Sequence, residues 1–160
     1  LRKLAYKIVN SSTVALPAWK EILRELQMTV TLMPRDVATR WNSTLDLLEY
    51  ALEHRKAIIL VTQRRELGLR DLELTDEEWA IIEQLQIVLK DATLYFSRST
   101  PNLATVIPAM DHIDQVLSTH SRNKKFLPSI HSGVSLGRET LNRYYSRTDQ
   151  SEVYHIAMSK

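Results

Sequence analysis

Residues 36–49 read Asp-Val-Ala-Thr-Arg-Trp-Asn-Ser-Thr-Leu-Asp-Leu-Leu-Glu, and the interpretation of the whole sequence depends on them. A β-branched segment at 29–33 precedes them and predicts an extended stretch. A polar turn then holds Arg40 beside Trp41. Asn42–Thr44 predict a helix start, because each of these side chains can accept a hydrogen bond from the free N–H groups there. An apolar-striped helix follows.

This placement gives Arg40 and Trp41 two possible roles. At the mouth of a helix, a planar cation and an aromatic ring can meet a phosphate or a nucleobase. Alternatively, Trp41 is a core anchor and Arg40 a surface cation, because most tryptophans simply pack in the interior. The residues alone favour the second interpretation.

The composition predicts a single, mainly helical domain. The chain has 160 residues, which suffices for one core, and its 3 glycines and 5 prolines are too few for a turn-rich β fold. There is no cysteine, which excludes disulfides and thiolate metal sites. The 21 basic and 19 acidic residues are too balanced to predict nucleic-acid binding by themselves. No apolar run is long enough to span a bilayer.

Apolar residues at helical spacing predict an irregular all-α bundle of about six helices, with at most one short isolated strand or extended segment near 29–33. Trp19 is predicted to lie in the core. Thr75 and Glu78 form a capping box, and Gly68 is a plausible helix stop. Pro108 predicts a kink or a helix start near 104–107. The predicted helices are 1–10, 17–26, 42–67, 75–96, 101–117 and 126–145, followed by a turn at 146–151 and a further helix from Glu152.

Other polar clusters have bland interpretations that are favoured over functional ones. His54 lacks a partner at metal-ligand spacing and is predicted to be a surface histidine. Asp111, His112 and Asp114 would scatter around a helix. The basic loop containing Lys124 and Lys125 could hold phosphates, although such a loop is more often simply solvated.

The segment 36–44 resembles the Asp-Val-x-Thr-Arg-Trp-Asn-Ser-Thr segment of hAT-superfamily DNA transposases. Residues 148–158 resemble fungal hAT-like transposases, and the Glu-Glu-Trp at 77–79 also fits the family. The resemblance extends over 4–158 and implies that residues 1–160 form one helical domain, corresponding to most of the domain that these transposases insert into a ribonuclease-H-like core. It further implies that Trp41 stacks on a flipped or exposed base near the transposon end.

The resemblance also limits the expected chemistry. The family cuts DNA with three carboxylates that bind a divalent metal such as Mg²⁺, and those carboxylates lie in segments that nothing here matches. We therefore expect no catalytic residue, no metal site and no cofactor in this chain, and no strand transfer by the chain alone. The family's zinc finger and dimerisation segment are also unmatched. Because the sequence starts at Leu1 and stops at Lys160, we expect a piece of a longer or truncated protein.

The resulting hypothesis is a fragment of a nuclear hAT-type transposase that contributes to binding of transposon-end DNA through Arg40, Trp41, Asn42, Lys124 and Lys125. The expected partners are DNA and the rest of the transposase, with a second copy of the chain as a further candidate and no membrane. The alternative is a domesticated or decayed helical interaction module without DNA activity.

Overall fold

The computed structural model of the protein describes residues 1–37, 42–94 and 106–149, and for residues 92–94 and 148–149 it describes the backbone alone. These residues form seven α-helices and no strand, which confirms the predicted all-α fold class. Two single 3₁₀ turns, Arg65–Leu67 and Arg70–Leu72, lie between the fourth and fifth helices. The helices are α1 (Arg2–Asn10), α2 (Ala15–Glu25), α3 (Ser43–Glu53), α4 (Arg55–Gln63), α5 (Asp76–Leu94), α6 (Val106–Ser121) and α7 (Pro128–Asp149).

The chain divides into two compact units, Leu1–Glu83 and Gln84–Lys160, and the boundary falls within α5. In the first unit α1 packs on α2, and α2 packs on α4. In the second unit α6 and α7 pack on each other. None of the described helices is both long and apolar enough to cross a bilayer.

The first unit has a core of large side chains that are excluded from solvent. Trp19 is 0% exposed, which confirms that it is a core residue. Buried residues on α1 and α2 recur at steps of three and four, so each helix presents one apolar stripe to its neighbours. Pro17 lies in the first turn of α2, where its missing N–H removes no hydrogen bond. The buried positions of these two helices are Leu4, Ala5, Ile8, Ala15, Ala18, Trp19, Ile22 and Leu23.

The predicted long helix at 42–67 is instead two helices that meet at His54. This residue is 5% exposed, so the prediction of a surface histidine was wrong. Its ring stacks on Tyr50, with centroids 3.8 Å apart, and its Nδ1–H donates to the Tyr50 carbonyl at 2.9 Å. The ring therefore turns back onto the preceding helical turn at the position where α3 ends. Downstream, α4 ends at Gln63, and Gly68 with φ of 60° ends the following 3₁₀ turn.

The start of α5 matches the predicted capping box. The Glu78 N–H donates to Thr75 Oγ1 at 3.2 Å, and the Thr75 N–H donates to Glu78 Oε2 at 2.8 Å. These reciprocal bonds satisfy N–H groups that a helix start leaves unpaired. Among the α5 side chains described, Trp79, Ile82 and Val88 are buried.

In the second unit, α6 and α7 are joined by small apolar contacts and by polar pairs at their sides. Gly137 on α7 faces Leu117 of α6, since a Cβ built on this glycine would lie 3.6 Å from the leucine Cδ1. Arg138 pairs with Asp114 at 3.1 Å. The described part of α6 runs from Val106 and includes Pro108, and the predicted helix start near 104–107 falls partly outside the described residues.

Two other boundaries in the second unit differ from prediction. The loop expected from Thr119 begins later, because α6 continues to Ser121. The turn expected from Ser146 was wrong at its start, because α7 continues to Asp149. Hydroxyl side chains on α7 bond to carbonyls four residues earlier, as Ser146 Oγ does to Asn142, and so do not interrupt the helix. The predictions for residues 95–105 and 150–160 lie outside the described residues.

Candidate nucleic-acid interface

The residues before α3 form an extended segment at 28–37 that is held against the first unit by side chains. The indole Nε1–H of Trp19 donates to the Thr31 carbonyl at 3.1 Å. The Thr31 hydroxyl lies 2.8 Å from the hydroxyl of Tyr50 on α3. Met33 is 2% exposed and therefore belongs to the core. The segment predicted to be extended is thus anchored at alternate residues, as expected where successive side chains point to opposite sides.

The Tyr50 side chain also holds the extended segment, and its hydroxyl is protonated. Burial raises the pKa of the Tyr50 hydroxyl, whereas its hydrogen bonds to Thr31 and Trp19 act in the opposite direction. Its ring lies 6.4 Å from that of Trp19 and also stacks on His54. The extended segment therefore rests on a cluster of three rings.

Asp36 connects three parts of the first unit. Its carboxylate accepts hydrogen bonds from the Ser43 and Thr44 hydroxyls, each at 2.9 Å, at the start of α3. It also accepts a hydrogen bond from the Nε–H of Arg2 on α1. Hydrogen bonds to a charged acceptor are roughly twice as strong as neutral ones. A single carboxylate thus links α1, the extended segment and α3.

The pKa of Asp36 follows from these contacts. Burial alone would raise it, but the hydrogen bonds from Ser43, Thr44 and Arg2, together with the charge of Arg2, hold the pKa of this carboxyl below its ordinary value. Asp36 is therefore ionised at neutral pH and acts as an acceptor for all three donors.

Val37 and Ser43 are hydrogen-bonded to each other. The Val37 N–H donates to Ser43 Oγ at 2.9 Å. The same hydroxyl lies 2.9 Å from the Val37 carbonyl and from the Asp36 carboxylate, so its single proton can be given to either. Val37 is consequently fixed to the start of α3.

The predicted capping role of Asn42–Thr44 was wrong. Asn42 is the N-cap of α3, but no side chain there accepts a capping hydrogen bond. The Ser43 and Thr44 hydroxyls instead point to Asp36, which is a charged and therefore stronger acceptor. Within the described part of the chain, the buried Oδ1 atom of Asn42 has no hydrogen-bond partner.

The family model of the ZBED1 RNase-like helical domain matches residues 2–88. The match covers more than half of the 160 residues and includes α1–α4 with the site just described. The chain belongs to this family. The ZBED1 RNase-like helical domain is a hAT/ZBED-type region, so the resemblance to the hAT superfamily is confirmed at that level. No curated protein and no solved structure matches the chain.

The residues predicted to contact DNA fall in different parts of this family member. Arg40 and Trp41 lie outside the described residues, and Val37 and Asn42 are the nearest described residues in sequence. Lys124 and Lys125 are exposed in the connection between α6 and α7 and belong to the second unit. Lys125 is held by its backbone, whose N–H donates to Asn123 Oδ1 at 3.1 Å.

The described residues of this ZBED1-type domain do not fit the divalent metal centre of hAT transposases. Over 1–37, 42–94 and 106–149, no group of three or more His, Asp or Glu side chains is placed to hold a metal ion. Asp114 is paired with Arg138, and Asp111 accepts a hydrogen bond from the Tyr145 hydroxyl. No step that requires a bound metal is therefore assigned to these residues.

Proposed function

We propose that the chain is the helical insertion portion of a fungal hAT-like transposase, or of a protein derived from one, and that it holds transposon-end DNA. In this role Trp41 stacks on an exposed base, and Arg40 contacts the neighbouring phosphate or base edge. Asn42 supports both residues from the start of α3. The observation that carries the proposal is the hydrogen bonding of Asp36 and Val37 to Ser43, which fixes the described residues that flank Arg40 and Trp41 in sequence.

Fixed ends matter for binding because ordering a loop costs free energy. Immobilising each flexible side chain at an interface costs about 0.5–1.5 kcal/mol. Val37 and Ser43, which flank Arg40 and Trp41 in sequence, are already bonded to each other before a ligand arrives. Stacking of one base on an aromatic ring contributes about 1–3 kcal/mol, so a smaller ordering cost leaves more of it as affinity.

We also propose that Lys124 and Lys125 bind phosphates in the second unit. Both are exposed, and no carboxylate pairs with either among the described ion pairs. Each phosphate neutralised on duplex DNA lowers the slope of log K against log salt by about 0.9. Replacing one of these lysines with Ala should make the slope less negative by about that amount, whereas Lys56→Ala, at an exposed position on α4, should leave it unchanged.

The role of Trp41 is tested by DNA binding of single variants. The probe is a fluorescein-labelled duplex with an unpaired base at one end, measured by fluorescence polarisation. Trp41→Ala should weaken binding roughly tenfold or more, because it removes a stack of about 1–3 kcal/mol. Trp41→Phe keeps a ring and should retain most of the affinity.

The controls separate stacking from folding. Circular dichroism and thermal melting should be unchanged in both variants, since a DNA-stacking ring is not needed for the core. Equal binding by the wild type and Trp41→Ala would reject the stacking role. A loss of stability in Trp41→Ala would instead identify Trp41 as a core residue.

The remaining proposals concern partners and location. We propose a nuclear protein whose exposed hydrophobic side chains contact the rest of the transposase, or a second copy. Val30 and Leu32 on the extended segment are 40% and 51% exposed, which supports a covering partner. The same exposure favours the alternative, a helical interaction module without DNA activity. Binding of the transposase core by a chain that binds no DNA would support that alternative.

A further inference from the structure

A small cleft lies between α1 and the C-terminal end of the extended segment. Trp19 contacts the same segment earlier, at Thr31. Its volume is about 160 Å³. A cavity of about 150 Å³ accommodates a benzene ring, so the cleft is large enough for one planar ring. It is lined by Arg2, Ala5, Tyr6, Arg35, Asp36 and Val37.

The lining combines an aromatic ring with two guanidinium groups. Tyr6 is 67% exposed, and among the described residues its side chain makes no hydrogen bond, whereas its backbone carbonyl accepts one from the Asn10 side chain. Arg2 precedes Tyr6 by four residues on α1, so the two side chains are neighbours on one helix face. Arg35 reaches the edge of the cleft from the extended segment, and its Nη2 is 3.4 Å from Asn10 Oδ1, a long contact.

Positive charge dominates around this cleft. Among the described residues that line it, Asp36 is the only acidic one, and its carboxylate is already engaged by Arg2 and by two hydroxyls of α3. The hydrogen bond from Arg2 to Asp36 uses its Nε–H, one of the five N–H donors of a guanidinium. Lys3 and Lys7 are exposed on the same helix and add to the field. An anion that approaches the cleft therefore meets a net positive surface with an exposed ring.

We infer that this cleft binds one nucleotide of a single DNA strand, with the base against the Tyr6 ring and the adjoining phosphate held by Arg2 and Arg35. Basic residues interleaved with an exposed aromatic ring are the features that bind single-stranded nucleic acid with little sequence preference. An acidic peptide would use the two arginines but not the ring. The inference rests on the proposed function in naming DNA as the partner, although it depends on different residues.

The experiment uses the whole chain and a short fluorescein-labelled oligothymidylate. Tyr6→Ala should weaken binding about tenfold, while Tyr6→Phe should bind like the wild type. Arg35→Ala should make the slope of log K against log salt less negative by about 0.7, the value for one phosphate on a single strand. Tyr144→Ala and Arg24→Ala remove an exposed ring and an exposed guanidinium elsewhere and should change neither quantity.

A second measurement reports on the cleft without any polymer. Thymidine monophosphate added to the chain should shift the NMR signals of the Tyr6 ring, and inorganic phosphate at the same concentration should shift them less. Equal shifts would overturn binding of the base. Unchanged oligothymidylate binding in both Tyr6→Ala and Arg35→Ala, with unchanged circular dichroism, would overturn the cleft as a site. Competition by oligoglutamate equal to that by oligothymidylate would indicate an acidic peptide ligand and overturn the inference.

These outcomes are separable from those of Trp41. If Tyr6→Ala loses affinity and Trp41→Ala does not, the cleft stands and the stacking role of Trp41 fails. If Trp41→Ala loses affinity while the nucleotide leaves the Tyr6 signals unchanged, the cleft fails and the proposed function stands.

Discussion

The two units of the molecule are stabilised in different ways. The largest fully buried side chains in the described part of the chain all belong to the first unit, and Trp19 and Trp79 are among them. In the second unit, the described helices α6 and α7 meet through smaller contacts such as Gly137 against Leu117. Polar pairs at their sides add to this, among them Arg138 with Asp114. The first unit is therefore the better support for a site that must keep its geometry.

The family match draws nearly the same boundary. It ends at residue 88, and the compact first unit ends at Glu83, both within α5. One boundary comes from the sequence and the other from the spatial packing of the chain. The matched region therefore coincides closely with the first compact unit.

The largest expected effect is on core packing, and it compares the units directly. Leu23→Ala in α2 and Leu117→Ala in α6 remove the same atoms from side chains that are 0% and 8% exposed. Leucine truncations in cores cost about 2–5 kcal/mol, and more where the surroundings cannot relax. We expect Leu23→Ala to fall in the upper half of this range and Leu117→Ala near its lower end. Native-state hydrogen exchange, read separately for α2 and α6, gives both values.

The same experiment tests whether the units are independent. Leu23→Ala should lower protection in α1–α4 and leave that of α7 unchanged, and Leu117→Ala should do the reverse. Exposed Val14→Ala is the matched surface control and should change protection by less than about 0.5 kcal/mol. Equal losses in both units for either leucine variant would show that the chain unfolds as one cooperative body.

The second prediction concerns Asp36, which links three segments of the first unit. None of the ion pairs described in the second unit links three segments. Asp36→Asn should lower the free energy of unfolding at neutral pH by about 2 kcal/mol, since it replaces hydrogen bonds to a charged acceptor with neutral ones. Urea titration followed by circular dichroism measures this value. Asp71→Asn, at an exposed position in a 3₁₀ turn, is the matched control and should stay within about 0.5 kcal/mol of the wild type.

The pH dependence has a definite sign. The pKa of Asp36 is lowered in the folded state, so its stabilisation is fully present above the unfolded value of about 3.9 and is lost as the pH falls through the folded value. The difference between wild type and Asp36→Asn should therefore be constant above about pH 5 and shrink below about pH 4. A difference that grows on acidification would contradict the described hydrogen bonds.

Much of the fold could be predicted from local patterns in the sequence. The all-helical fold, the core position of Trp19 and the capping box at Thr75 all depend on residues within one or two turns of each other. Local spacing contains the information for such features. The structure confirms them for that reason.

The errors arose where distant residues compete with local preference. Ser43 and Thr44 look like capping residues, yet Asp36 engages both hydroxyls from outside the helix. His54 looks like a surface residue, but stacking on Tyr50 buries it at a helix boundary that apolar spacing alone does not mark. The cleft at Tyr6 was also missed, because it needs Arg35, which is distant in sequence. The only local hint was an aromatic residue on the basic side of α1.

The smallest expected effect concerns the start of α5, the helix that crosses the boundary between the units. Glu78→Gln keeps the shape of the capping side chain but removes the negative charge of the group that accepts the hydrogen bond from the Thr75 N–H. Thr75→Ala removes the hydroxyl that accepts the hydrogen bond from the Glu78 N–H. Loss of a capping side chain costs about 1 kcal/mol, so Thr75→Ala should lose about that amount and Glu78→Gln less. Glu77→Gln removes a first-turn charge for which no capping bond is described, and should cost at most a few tenths of a kcal/mol through the helix dipole.

Because the box lies in the first unit, hydrogen exchange should accelerate in the first turns of α5 and leave α6 and α7 unaffected. Faster hydrogen exchange along all of α5 and into α6 would show that this helix couples the two units. The chain would then be one folding unit with two differently packed ends.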